Sequence, residues 1–119
     1  MARRLVEMTT TDSLSQKLQA LADPTRRGML ARLARGQATV NELARPFDMS
    51  LPAISKHIKV LENAGLITRS RTAQQRPCQL SPTGLKEIDD WMNAYRAMWE
   101  QKLDRLETYL ATLTKEEQS

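Results

Sequence analysis

Cysteine and histidine are almost missing from this chain: among 119 residues there is one of each, Cys78 and His57. A single thiol closes no internal disulfide, which excludes a disulfide scaffold and reads as a cytoplasmic chain. One imidazole and one thiol are too few donors for a borderline-soft metal, which takes several N and S ligands, so no metal is expected. The lone histidine belongs to no Ser-His-Asp pattern, and no glycine-rich loop ends in a lysine. No catalytic constellation follows, and no cofactor. Aromatics are scarce too, with one Phe, two Tyr and two Trp, so a core must be built from Leu, Ile and Met. No apolar run reaches the roughly 18 residues of a membrane span. Met1-Ala-Arg-Arg4 is not followed by the apolar stretch of a signal peptide. There is no internal repeat and no low-complexity linker, and the length suits one domain.

What the chain does have is segregated charge. Residues 1–80 carry 13 Lys and Arg against 6 Asp and Glu, a balance of +7, whereas residues 81–119 carry 5 against 8, a balance of −3. A basic first part suits a polyanionic partner, and the acidic last part implies a different task.

Local signals divide the chain into elements. Residues 1–12 are polar and read as a flexible arm. A first helix starts at Asp12 or Ser13, with Leu14, Leu18 and Leu21 on one face. Asp23-Pro24 restarts the chain as cap and first helical residue, and that helix runs to about Arg35 before Gly36. Thr39-Val-Asn-Glu42 fits a capping box opening a short third helix to about Arg45. Ser50 caps a fourth, in which Leu51, Ile54, Ile58 and Leu61 form an apolar stripe. Pro52, Lys56, Lys59 and Asn63 lie opposite it, and Gly65 closes the helix. Two short helices joined by a tight connection, the second cationic outside, make a helix-turn-helix over about 39–64. Leu66–Ser70 and Cys78–Leu80 read as strands of a hairpin wing over about 66–80, with no Asn-Gly or Asp-Gly pair to define the turn. Ser81-Pro82 opens a last helix over about 82–113, leaving 114–119 as a tail. Its apolar positions from Leu85 to Leu113 are spaced 3, 4, 3, 4, 4, 3, 4 and 3, near a heptad pattern. A stripe spanning roughly 40 Å exceeds what so small a core can cover, so it packs partly on a second subunit. The expected fold is mainly α with a small β-hairpin: a winged helix-turn-helix with a long C-terminal dimerisation helix.

A helix with a greasy back and a small, polar, cationic front suits insertion into the major groove of DNA. Lys56 and Lys59 are candidates for base-edge or phosphate contact, with the Ser55 hydroxyl beside them. Pro52 and Ala53 are small and apolar near the helix start, where a thymine methyl would fit. The helix starts at Thr39 and Ser50 can bind phosphate as well as cap. Arg69, Arg71 and Arg76 frame the wing, where at least one is expected on phosphate or in a minor groove. His57 has two readings, a phosphate contact or a cover for the seam between helix and wing. Cys78 reads as a structural strand residue, and the rival reading, a redox switch, would need Arg76 to lower its pKa. Trp91, Tyr95 and Trp99 share one seam of the last helix, as core, as dimer contacts, or as the wall of a small-molecule pocket.

The element order, together with Leu21-Ala-Asp-Pro-Thr-Arg-Arg27, Ser50-Leu-Pro-Ala-Ile-Ser-Lys-His-Ile-Lys-Val-Leu61 and Glu62-Asn-Ala-Gly-Leu-Ile67, resembles the ArsR/SmtB family of bacterial winged-helix repressors over about residues 13–113. The resemblance implies a homodimer joined by its first and last helices, here Leu14 and Leu18 with Met92, Tyr95, Trp99, Leu103, Leu106 and Leu110. It implies binding to a double-stranded DNA operator, in the cytoplasm on the nucleoid, with release by an effector, here an unknown small molecule. The family's metal sites do not carry over. Its thiolate site needs cysteines near the third helix, where this chain reads Glu42-Leu-Ala-Arg-Pro46, and its other site needs histidines on the last helix, where residues 82–113 have none. Two rival readings remain: a sensor of the same fold using Cys78 or a metal, and a protein-interaction module that does not bind DNA.

Overall fold

A computed structural model describes residues 12–71 and 74–118. The flexible arm expected at 1–12 lies, but for Asp12, outside the described residues. The helices are α1 Ser13–Leu21, α2 Pro24–Leu33, α3 Val40–Ala44, α4 Leu51–Asn63 and α5 Pro82–Gln118, with strands β1 Ile67–Arg69 and β2 Cys78–Leu80 between α4 and α5. The contacts form two compact units, divided between Glu87 and Ile88 within α5.

In the first unit each helix starts where a short polar side chain can satisfy an orphan amide. Asp12 accepts from the Ser15 amide at 3.1 Å and Asp23 from that of Arg26 at 3.0 Å. Thr39 and Glu42 exchange bonds in a full capping box. Ser50 accepts from the Ala53 amide at 3.3 Å, and Ser81 from that of Gly84 at 3.4 Å. Helix α4 ends in a Schellman motif. The Leu66 amide reaches back to the Leu61 carbonyl and the Gly65 amide to that of Glu62, both at 3.0 Å. Gly65 takes φ +79°, a value that glycine adopts without a Cβ penalty.

The core of this unit holds Ala20, Met29, Leu33, Leu43, Ile54, Ile58, Leu61, Leu66, Ile67 and Cys78. Burying Ile54, Ile58 and Leu61 contributes roughly 1.5–3 kcal/mol each, which seats α4 by its apolar back. Leu51, expected in that stripe, is 51% exposed. It stands in the first turn, ahead of the part of α4 that the neighbouring elements cover. On α1, Leu18, expected on one face with Leu14 and Leu21, is 37% exposed, while Ala20 and Lys17 are buried. Lys17 tolerates burial because its Nζ meets Glu87 Oε2 at 2.9 Å and donates to Ser13 Oγ at 2.7 Å.

The wing is shorter on its first strand than expected. Antiparallel pairing joins Ile67 to Leu80, Thr68 to Gln79 and Arg69 to Cys78. The outer edge of β2 is used as well: the Cys78 amide donates to the Ala38 carbonyl at 2.7 Å and its carbonyl accepts from the Ala38 amide at 3.0 Å. The residue before α3's cap thereby ties the helix-turn-helix to the wing.

The second unit is the remainder of α5. The helix continues through the expected tail to Gln118, giving 37 residues and a length of roughly 55 Å. From Asp89 to Glu117 every side chain is exposed.

Candidate nucleic-acid interface

The side of α4 opposite its buried stripe presents Pro52, Ser55, Lys56 and Lys59 to solvent, with Ala53 half-buried beside them. Ser55 and Lys59 share a surface depression of about 270 Å³ with Val40 of α3 and Arg69 of the wing. Arg69, Arg71 and Arg76 together line a second depression of about 350 Å³. Helix α4 and the wing therefore bring Lys59 and Arg69 to one depression, and Glu62 lines both depressions. The Arg69 Nε donates to the Arg76 carbonyl at 3.3 Å, which holds the two ends of the wing loop together. Arg76 has φ +44°, in the left-handed region that non-glycine residues seldom occupy outside a turn. Residues 72–73 of that loop lie outside the described residues.

Two expected contacts are engaged locally. The Thr39 hydroxyl accepts from the Glu42 amide at 3.2 Å and donates to Glu42 Oε1 at 3.1 Å, while the Thr39 amide donates to the same oxygen at 3.3 Å. Those bonds, with Arg32 nearby, hold the Glu42 carboxyl below its ordinary pKa. Ser50 is occupied as the cap of α4.

His57 neither covers the seam with the wing nor stands free. Its side chain is 19% exposed and turned towards α2, with Nδ1 3.2 Å from Arg26 Nη1 and 3.9 Å from Asp23 Oδ2. Arg26 was not singled out by its sequence, although it falls within Leu21–Arg27. It also donates from Nε to the Ala20 carbonyl at 2.7 Å and from Nη2 to the Gln19 carbonyl at 3.1 Å. Arg27 donates to the Leu21 carbonyl at 2.6 Å. The tandem arginines thus bond the Ala20 and Leu21 carbonyls at the end of α1 and share that of Gln19 with the Ala22 amide.

Cys78 is fully buried on β2, and burial pushes its thiol pKa up, outweighing the nearby Arg69 and Arg76. That is opposite to the activation a redox switch would need.

On α5 the expected interface residues Met92, Tyr95, Trp99, Leu103, Leu106 and Leu110 are between 44% and 61% exposed. Leu14 on α1 is half-buried. Trp91 and Tyr95 pack as a tilted aromatic pair with centroids 5.1 Å apart. With Met92, Arg96, Met98 and Trp99 they line an open groove of about 450 Å³.

A helix-turn-helix domain model matches residues 21–70, the stretch from the end of α1 through β1. An HTH-type transcriptional regulator of Mycobacterium tuberculosis, Rv2034, is 47% identical over 81 residues, which cover 68% of this chain and 76% of that protein. The transcriptional repressor SdpR of Bacillus subtilis is 34% identical over 79 residues, covering 66% of this chain and 88% of that one. A solved ArsR family transcriptional regulator, RHA00566, superposes with a TM-score of 0.68 at 44% identity, covering 75% of this chain and 98% of its own. The chain belongs to the ArsR/SmtB family. Its members are winged-helix DNA-binding regulators of transcription rather than enzymes, and the helix-turn-helix and hairpin wing described above are that architecture.

The metal chemistry for which this family is known does not fit the side chains here. Among the described residues no group of three or more His, Cys, Asp and Glu side chains stands close enough to hold a metal ion. The soft donors are one buried thiol and one imidazole whose Nδ1 faces a guanidinium. No helix among the described residues is long and apolar enough to cross a membrane.

Proposed function

We propose that this ArsR/SmtB protein is a homodimeric repressor of an inverted-repeat operator, with α4 in the major groove and the wing on the adjacent backbone. The observation that carries this reading is the shared surface of Ser55 and Lys59 on α4 with Arg69 on the wing. It offers short polar and cationic groups to base edges and phosphates together. Lys56 and Lys59 are the reading and anchoring cations, Pro52 and Ala53 meet thymine methyls, and Arg71 and Arg76 bind phosphate. Repression, rather than activation, follows the repressor among its relatives.

The dimer rests on the apolar face of α5. Soluble monomers rarely expose an apolar patch larger than a few hundred Å², and the run from Met92 to Leu113 is a continuous one. In the first unit, exposed Leu18 and half-buried Leu14 on α1 offer a partner apolar surface of their own. Two subunits would set half-sites about one helical turn, roughly 34 Å, apart. Release would come from a small molecule rather than from a metal or a thiol, and the working location would be the nucleoid.

Selection of operators from random duplex DNA with the purified protein, at physiological salt, tests the reading. An enriched inverted repeat with about ten base pairs between half-site centres supports it. Lys56→Ala and Arg71→Ala should each weaken binding, and loss of a phosphate contact should flatten the slope of log K against log salt by about one unit. Leu106→Glu should halve the molar mass in sedimentation and abolish tight operator binding. No enrichment at any salt would favour an interaction module instead.

A further inference from the structure

We propose that Arg26 is a positioning residue for DNA recognition: it sets the orientation of α4 by holding His57 and locks that helix to the end of α1. The role rests on the reading of α4 as the recognition helix. Three segments of the first unit converge on one guanidinium. Its Nε and Nη2 hold the Ala20 and Gln19 carbonyls of α1 at 2.7 and 3.1 Å, and its Nη1 lies 3.2 Å from His57 Nδ1 on α4. The backbone of Arg26 is pinned in turn, because its amide donates to the Asp23 carboxylate that caps α2.

A guanidinium only donates, so the bond from Arg26 takes His57 Nδ1 as its acceptor, with the Asp23 carboxylate 3.9 Å from the same nitrogen. Lysine cannot replace the fork, because one ammonium does not present three coplanar donors to two carbonyls and a ring at once. His57 lies next to Lys56 and two residues before Lys59, so a ring held from α2 fixes the azimuth of both. Recognition groups must be aimed to within about 10–20°, and the Arg26–His57 contact adds a directional bond to the non-directional burial of Ile54, Ile58 and Leu61.

The experiment uses the full chain, the selected operator and four variants: Arg26→Met, Arg26→Lys, His57→Gln and His57→Phe. Glutamine can accept the Arg26 bond through its carbonyl oxygen, whereas phenylalanine fills the space without accepting. Arg26→Met, Arg26→Lys and His57→Phe should each lose at least about tenfold in operator affinity, the scale of one lost base contact, with the salt slope unchanged. His57→Gln should keep most of the affinity. Nitrogen-15 spectra of the one histidine should show the Nε2–H tautomer in the wild type and a mixture in Arg26→Met. A slope flattened by about one unit in Arg26→Met would overturn the role, since Arg26 would then touch phosphate directly. Equal affinity in His57→Gln and His57→Phe would overturn it too, and that pair decides the matter if the Arg26 variants do not fold. A wild type that enriches no DNA sequence overturns the recognition-helix reading and this role with it. A wild type that binds no better than Arg26→Met overturns the role alone.

Discussion

Gly84→Ala sets two effects of opposite sign against each other. Gly84 lies in the first turn of α5, and replacing a helical glycine by alanine ordinarily stabilises by up to about 1 kcal/mol. Here a Cβ would overlap the Gly65 carbonyl oxygen and crowd the Leu66 backbone. Both partners are backbone, so no side chain can rotate away, and the start of α5 must lift off the turn that closes α4. Overpacking of this kind costs typically 1–3 kcal/mol and sometimes more. The clash therefore outweighs the propensity gain, leaving a net loss of about 1–2 kcal/mol. At roughly 4–8 °C per kcal/mol for a small domain, the melting temperature should fall by about 5–15 °C. Thermal unfolding followed by circular dichroism, at one fixed protein concentration because a dimer's melting point depends on it, measures the change.

The same displacement has a functional consequence. Gly65 is the residue that turns the chain out of α4 at φ +79°. Its carbonyl cannot move without disturbing the Schellman bonds that end the reading helix. Operator affinity in Gly84→Ala should therefore drop with the salt slope unchanged, because no phosphate contact is lost. A melting temperature equal to or above that of the wild type would refute the close approach of the two backbones and the functional argument built on it.

Three further outcomes follow from the first unit. Cys78 should react with a disulfide reagent only as fast as the protein opens, and peroxide should leave operator binding unchanged; native labelling at the rate of a free thiol would contradict its burial. Acid should destabilise the fold, because Asp12, Asp23, Glu42 and Glu87 all have pKa values lowered by bonds present only in the folded state. Groups of that kind contribute stability that is complete above the ordinary carboxylate range of about 4 and is lost as pH falls through their depressed native values. Thr39→Ala keeps the amide bond that is the first cause of the Glu42 shift and removes the hydroxyl bond, which is the second. It should cost about 1 kcal/mol in urea unfolding at neutral pH and less at pH 3, whereas an equal cost at both would separate the cap from the Glu42 carboxylate.

What could be read from the chain, and what could not, divides along the range of the interactions involved. Asp12, Asp23, Thr39, Ser50 and Ser81 mark their helices because a cap bonds an amide three residues on, within the same few residues of sequence. The cationic face of α4 was readable for a related reason: Lys56 and Lys59 are exposed by not being in the apolar set. Leu51 belongs to the same angular set as Ile54 and Ile58, but periodicity names a face without saying where its cover ends. Lys17 is buried and Leu18 exposed because Glu87, distant in sequence, supplies the counter-charge. The Ala38–Cys78 bridge joins strand β2 to a loop residue that carries no pairing signal of its own. Helix α5 outruns its apolar stripe because Lys115, Glu116, Glu117 and Gln118 are good helix formers whether or not anything packs on them.

The recognition surface follows the same division. Which side chains face the solvent is decided by the local pattern of one helix, and those residues can be named from sequence. Where they point is decided by the rotation of that helix, and burial of Ile and Leu is a non-directional force. The directional bond comes from Arg26, 31 positions before His57, in a segment whose evident task is to end one helix and begin the next. A motif that looks like a simple helix junction can therefore carry the aim of the recognition helix. That is why Arg26, in the positioning role proposed for it, should matter to operator affinity as much as a residue that meets the DNA.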